Sequence, residues 1–341
     1  MSRPPLDPRD LDEAVDWVRP GWDGLRGARL FVAGGTGFFG TWLLESLLRA
    51  EARLGLGVEA TVLTRNPEGF RGRSPQVALH PSVRLHAGDV RSFELPRTRF
   101  THLVHCAAAS SDVPDDLEQL DVIVGGTTRL LDLAVSSGAR RFLLASSGAV
   151  YAGLPAGMIH VPESHPGAPD PMATRSSYGQ AKRIAEHLCA LYAARHGLEP
   201  VIARGFAFVG PHLPLDKHFA IGNFIRDGLA GRAIQVSGDG TPLRSYLYGS
   251  DLAAWLWTIL LSGTPCRPYN VGSEAAISVG ELARVAAGLF QVSFEIARQP
   301  AAGAQPERYV PSTERARTEL GVSQHVNLAD AIQRTAKWLR N

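Results

Sequence analysis

The chain has 341 residues, 45% of them hydrophobic and 20% charged, with 35 Lys+Arg against 33 Asp+Glu and a net charge of +2. That length supports a substantial core in one large domain or two unequal ones. The near-neutral charge excludes the strongly basic surface of a nucleic-acid or anionic-membrane binder. Three cysteines, Cys106, Cys189 and Cys266, show no CxxC or Cys/His ligand spacing. Neither a metal site nor a disulfide framework is expected, and the composition reads as cytoplasmic.

In chain order, residues 1–27 are polar, rich in Asp, Pro and Arg, and lack the apolar core of a signal peptide. Arg29–Ala33 reads as a buried strand, the glycines between 34 and 40 as a turn, and Thr41–Arg49 as an amphipathic helix. Gly34, Gly37 and Gly40 carry the spacing G-x-x-G-x-x-G between that strand and that helix. Glycines there let backbone approach a pyrophosphate at the positive end of the helix. The strand Glu59–Thr64 completes a βαβ unit and ends at Arg65. An acid usually meets the adenosine ribose at that point, whereas Arg65 suits a 2′-phosphate, so NADP(H) is favoured over NAD(H). Asp89, in Gly88-Asp-Val90, is the alternative adenosine contact.

Val83–Ala87, Thr101–His105 and Arg141–Ala145 are further short apolar runs, alternating with helical patterns near 117–136 and 177–195. Such alternation predicts an α/β fold with a doubly wound parallel sheet. No apolar run approaches about 18 residues, the length a bilayer needs; Ala253–Leu261 is too short to span one.

Tyr178-Gly-Gln-Ala-Lys182 places a phenol and an ammonium on one helix face. Lysine is scarce here, occurring only at 182, 217 and 337. At about 4 Å and an effective dielectric near 20, its charge is worth roughly 4 kcal/mol, or roughly 3 pKa units. That would bring a tyrosine toward neutrality, where a general acid/base works.

The regular alternation lapses after Val201–Arg204, and residues 206–244 are rich in Gly, Pro, His and Asp. Helices over about 251–261 and 278–289 flank a strand end at Tyr269–Gly272. The expected organisation is an N-terminal extension (1–27) and a cofactor domain (28–205 plus about 246–275). A smaller discontinuous lobe (about 206–245 plus 276–341) would close over substrate.

With its glycine turn, His105-Cys-Ala-Ala108, Ser146-Ser147 before Val150-Tyr151, and Tyr178-x-x-x-Lys182, the chain resembles the extended short-chain dehydrogenase/reductases that modify nucleotide sugars. Arg204–Pro211, Gly238–Arg244 and Tyr269–Gly272 look like later motifs of that family. The resemblance implies a Rossmann domain whose cofactor contacts come from Gly34, Gly37, Phe38, Phe39, Gly40, Arg65, Asp89, Val90, Ala107, Ala108, Tyr178 and Lys182. Tyr178 would exchange a proton with a sugar oxygen, Ser147 would hydrogen-bond that oxygen, and Lys182 would hold the nicotinamide ribose. Arg244 would pair with a substrate phosphate. His212, His218 and Asn223 are candidate polar groups of the sugar pocket.

Three departures stand out. Gly148-Ala149 occupies the place of the Asp-Glu pair of the family's 4,6-dehydratases, so dehydration by that route is disfavoured. Ile123 and Ala207 replace expected asparagines. The expectation is hydride transfer at C4 of an NDP-hexose, most readily reduction of an NDP-4-keto-6-deoxyhexose, with redox-neutral 4-epimerisation as the alternative. A dehydratase or a non-catalytic cofactor-binding protein comes behind these. A homodimer through the helices near 117–136 and 177–195 is expected by analogy.

Overall fold

The computed structural model describes residues 3–19, 21–107, 115–151, 154–155, 157–217, 219–301, 303 and 305–340. Helix α1 (Pro8–Val18) starts on an Asp7 cap, followed by strand β1 (Arg29–Ala33), α2 (Phe38–Leu54), β2 (Glu59–Thr64), β3 (Val83–Ala87) and β4 (His102–His105). Next come α3 (Asp116–Ser137), β5 (Arg141–Ser147), α4 (Ser177–His196), β6 (Glu199–Gly205) and α5 (Ala220–Leu229). The chain ends with α6 (Gly249–Ser262), β7 (Pro268–Val271), α7 (Val279–Phe290) and α8 (Leu328–Arg340). The seven strands form one sheet in the order β7-β6-β5-β4-β1-β2-β3, and every pairing is parallel.

Parallel strands buried on both faces need continuous apolar runs, which is what Leu30–Ala33 and Phe142–Ala145 supply. The order reverses between β1 and β4, where a crevice opens beyond the strands' carboxyl ends. Among the described residues no helix is long and apolar enough to cross a membrane.

Three elements differ from the sequence expectation. The residues before β1 do not stand apart: Val15, Val18, Trp22 and Leu25 join the core that holds Leu30, Leu43 and Trp257. Trp22 Nε1 donates to the Val15 carbonyl at 2.9 Å. Asp10 accepts from Tyr248 Oη and from Arg334, each at 2.6 Å, fastening α1 to α8. The irregular stretch 206–244 contains α5, whose Ile221, Phe224 and Ile225 are buried against Leu282 and Ala286 of α7. Helix α2 starts three residues before the expected Thr41, because the glycine turn is shorter than its motif suggested.

Candidate active site

The glycine turn sits at the sheet's switch point. Gly34 has φ +83°, and a Cβ there would lie 2.4 Å from the backbone of Cys106 and Ala107 at the end of β4. A Cβ on Gly40 would lie 2.2 Å from the Gly34 carbonyl oxygen. These two glycines are therefore fixed by the chain's own close approach. Gly37 is exposed, and a Cβ on it would meet only the Gly34 carbonyl oxygen, at 3.5 Å. It caps α2 without a side-chain hydrogen bond. The first-turn N–H groups thus have no side-chain cap and open space before them, a cradle that fits a pyrophosphate.

Phe38 and Phe39 open α2, and Phe39 meets Phe208 edge-on at 4.9 Å. Arg65 lies exposed just beyond β2. Asp89 is held by Arg91, which donates its backbone N–H and Nε to Oδ1 and a second guanidinium nitrogen to Oδ2. That pairing, with burial opposing it, keeps the Asp89 carboxyl below the usual range. Val90 packs where a Cβ on Gly126 of α3 would fall, 2.9 Å away. Ala107 flanks the turn, whereas Ala108 lies outside the described residues.

At the next strand end, β5 delivers Ser147 beside the start of α4. Gly179 permits this, since a Cβ there would lie 2.4 Å from the Ala149 carbonyl oxygen. Lys182 is buried and donates from Nζ to the Ala145 carbonyl at 2.7 Å. Its ammonium stands 5.8 Å from the centre of the Tyr178 ring. Ser147 Oγ accepts from the Ala149 N–H at 3.1 Å and lies 3.3 Å from Tyr309 Oη. His105, buried under this cluster, lies with Nε2 3.0 Å from Thr127 Oγ1. Thr127 gives its proton to the Ile123 carbonyl, which makes His105 Nε2 the donor. Burial, then the Lys182 charge, pushes the imidazole down to about 3, so it stays neutral.

Behind the cluster, Arg204 of β6 makes a bidentate pair with Glu186 of α4 at 2.6–3.3 Å. Ser146 donates to the same carboxylate at 2.5 Å. Arg204 also donates to Tyr151 Oη, which donates to Asn270 Oδ1, both at 2.8 Å. This network ties β5, β6, β7 and α4 together and accounts structurally for the motif residues Tyr151, Arg204 and Asn270.

The remaining candidates lie elsewhere or have partners. Arg244 pairs with Glu307 at 2.9 Å, and its guanidinium lies 6.0 Å from the centre of the Tyr309 ring. Asn223, on α5, donates to the Lys217 carbonyl. His212 is buried at φ +70° and packs on Trp338 of α8 at 4.6 Å, with no hydrogen-bond partner for either ring nitrogen among the described residues. Burial pushes it down to about 3, so its imidazole stays neutral. His218 lies outside the described residues. Two participants gave no sequence signal that singled them out: Tyr309 falls in the two-residue strand Arg308–Tyr309, and Glu186 is one more acid on an amphipathic helix.

The model of the NAD dependent epimerase/dehydratase family matches residues 30–272. The chain belongs to that family. Its match takes in the glycine turn, Ser147, Tyr178 and Lys182, and stops before Tyr309. Among curated relatives, UDP-glucuronic acid decarboxylase 3 of Arabidopsis thaliana is 32% identical over 306 residues, covering 89% of this chain and 86% of the relative. Among solved structures, the dTDP-glucose 4,6-dehydratase DesIV of Streptomyces venezuelae, with NAD and TYD bound, is 27% identical with a TM-score of 0.77. That match covers 92% of this chain and 97% of DesIV. The UDP-glucose 4-epimerase of Thermus thermophilus, complexed with NAD, is 25% identical with a TM-score of 0.75, covering 92% and 99%. The family acts on nucleotide sugars, and its Rossmann-like sheet is the one seen here.

Proposed function

We propose that this chain exchanges hydride between a nicotinamide dinucleotide and C4 of a nucleotide-diphosphate hexose. The observation that carries the reading is that Lys182 binds the Ala145 carbonyl, two residues before Ser147, and stands 5.8 Å from the centre of the Tyr178 ring, while Gly148-Ala149 beside Ser147 can move no proton. The turn Gly34–Gly40 would hold the pyrophosphate, Asp89 or Arg65 the adenosine half, and Lys182 the nicotinamide ribose. When bound, the cofactor takes up or returns the C4 hydride. Tyr178 takes the C4 hydroxyl proton or gives one to the C4 ketone, while Ser147 hydrogen-bonds the same oxygen. Lys182 keeps a positive charge near the Tyr178 ring, so the phenolate formed after proton loss is stabilised.

Three finer readings share this site. Net reduction of an NDP-4-keto-6-deoxyhexose, with NADP(H), rests on Arg65, exposed where a ribose-binding acid would otherwise stand. Oxidation followed by loss of a C6 carboxylate is favoured by the decarboxylase relatives. A C4 ketone is β to that carboxylate, so the C5–C6 bond breaks with its electrons entering the enolate. CO2 leaves, and C5 is protonated by water. No base at position 148 or 149 is required, in contrast to dehydration. Redox-neutral 4-epimerisation needs the same three residues.

Incubation of the purified protein with UDP-glucuronic acid, UDP-glucose, dTDP-glucose and an NDP-4-keto-6-deoxyhexose, each with NAD(H) or NADP(H), separates these readings by product NMR. Consumption of added NADPH with the ketosugar is the expected mark of the reductase. A pentose product marks decarboxylation, and a C4-inverted hexose without added cofactor marks the epimerase. Absence of any C4 exchange across the panel sinks the proposal.

The chain is further proposed to form a homodimer through α3 and α4. Leu117 (77% exposed) on α3 and Leu191 (50%) on α4 are large apolar side chains in water. Light scattering should give twice the chain mass; a monomer refutes the dimer.

A further inference from the structure

Gly148 has a backbone that any residue could adopt, because its φ lies outside the left-handed range. Its missing side chain is instead a matter of room. A Cβ there would lie 2.8 Å from the Phe206 ring and 2.9 Å from Tyr309 Oη. The space beside the catalytic strand end is thus filled by a phenol from distant sequence. Its ring packs on Phe206 at 4.7 Å and lies near the Arg244 guanidinium, whose strand pairs in register with its own.

We infer that Tyr309 is a positioning residue for Ser147: its phenol O–H and the Ala149 N–H fill both lone pairs of Ser147 Oγ, leaving only the serine proton to face the substrate oxygen. A serine hydroxyl has one proton and two acceptor sites. The Ala149 N–H takes one site at 3.1 Å, and Tyr309 Oη stands 3.3 Å away for the other. Burial pushes the Tyr309 phenol above its usual range, so it keeps its proton and remains a donor. Before substrate arrives, that proton can rest on the Gly205 carbonyl, 3.4 Å away. Once Ser147 donates to a C4 oxygen, Tyr309 turns its proton to Ser147. Ser147 is thereby a dedicated donor, suited to a ketone or a developing alkoxide.

This inference rests on the C4 hydride reading proposed above. The test compares wild type, Tyr309→Phe, Ser147→Ala and the double variant on UDP-glucuronic acid, UDP-glucose and dTDP-glucose carrying deuterium or protium at C4, and on an NDP-4-keto-6-deoxyhexose with reduced cofactor carrying deuterium or protium at the transferred position. Phe at 309 keeps the ring contacts and removes only the hydroxyl. The expected result is a kcat about tenfold lower, as for one lost hydrogen bond, with KM changed by less than about twofold and cofactor affinity unchanged. The deuterium isotope effect on kcat should rise as hydride transfer becomes slower. The double variant should be no slower than Ser147→Ala. A kcat within twofold of wild type, a loss confined to KM, or additive losses in the double variant overturn it. If Tyr309→Phe costs folding, read as lost cofactor binding, Gly148→Ala displaces the phenol while retaining it; unchanged kcat there also overturns the inference. Wild type without C4 exchange fails the parent reading, whereas active wild type with an indifferent Tyr309→Phe fails this one alone.

Discussion

Replacing Tyr178 by Phe should lower turnover by about 10²-fold or more, the usual worth of a positioned acid/base, while cofactor affinity changes little. The ring stays packed against the core that α3 and α4 share, so the substitution removes the proton and leaves the helix in place. Lys182 keeps its bond to the Ala145 carbonyl and its place near the ring. Single-turnover measurement of C4 hydride transfer alongside cofactor titration separates the two quantities. Unchanged turnover would reject Tyr178 as the proton carrier, and a parallel loss of cofactor binding would mean that the phenol is structural.

Replacing Glu186 by Ala should cost about 3–5 kcal/mol of stability, because it strands a charge that water reaches poorly. The Glu186 and Arg204 side chains are 12% and 13% exposed. Without its partner the guanidinium keeps, as hydrogen-bond acceptors among the described residues, Tyr151 Oη and a long contact to the Glu163 carbonyl. Ser146 loses its acceptor as well. Urea unfolding checks this, and a double variant Glu186→Leu/Arg204→Met should recover much of the loss, since apolar replacements bury no orphaned charge. A loss below about 1 kcal/mol would place the pair in the weak class of solvated bridges.

Glu186 shows what the sequence could and could not disclose. The strands β1, β2 and β5 were legible because burial on both faces demands unbroken apolar runs with turn residues at their ends. The glycine turn was legible because its spacing fell between a strand and a helix. Tyr178 and Lys182 were legible because a helix fixes which residues share a face and lysine is scarce. Ser147 came with them through the resemblance to a known family. Tyr309 was beyond reach: two strand residues carry no period, and its meeting with Ser147 spans 162 positions. The burial of His212 was equally beyond reach. A histidine in a Gly/Pro-rich loop carries no sign of the Trp338 ring that packs on it. In α1 the signal was present but outweighed by polarity, for Leu11, Ala14, Val15 and Val18 recur at helical spacing among Asp and Arg.

The fastening of α1 has a bearing on biogenesis. Arg334, which binds both Asp10 and Glu13, is made 324 residues after Asp10. Until α8 is made, those acids lack their guanidinium partner. Loop closure over such a separation is entropically slow, and non-local pairing of this kind delays the final step of folding. The nascent chain can assemble the sheet that carries Ser147 first. The seal over α1 waits until α8 is made and docked.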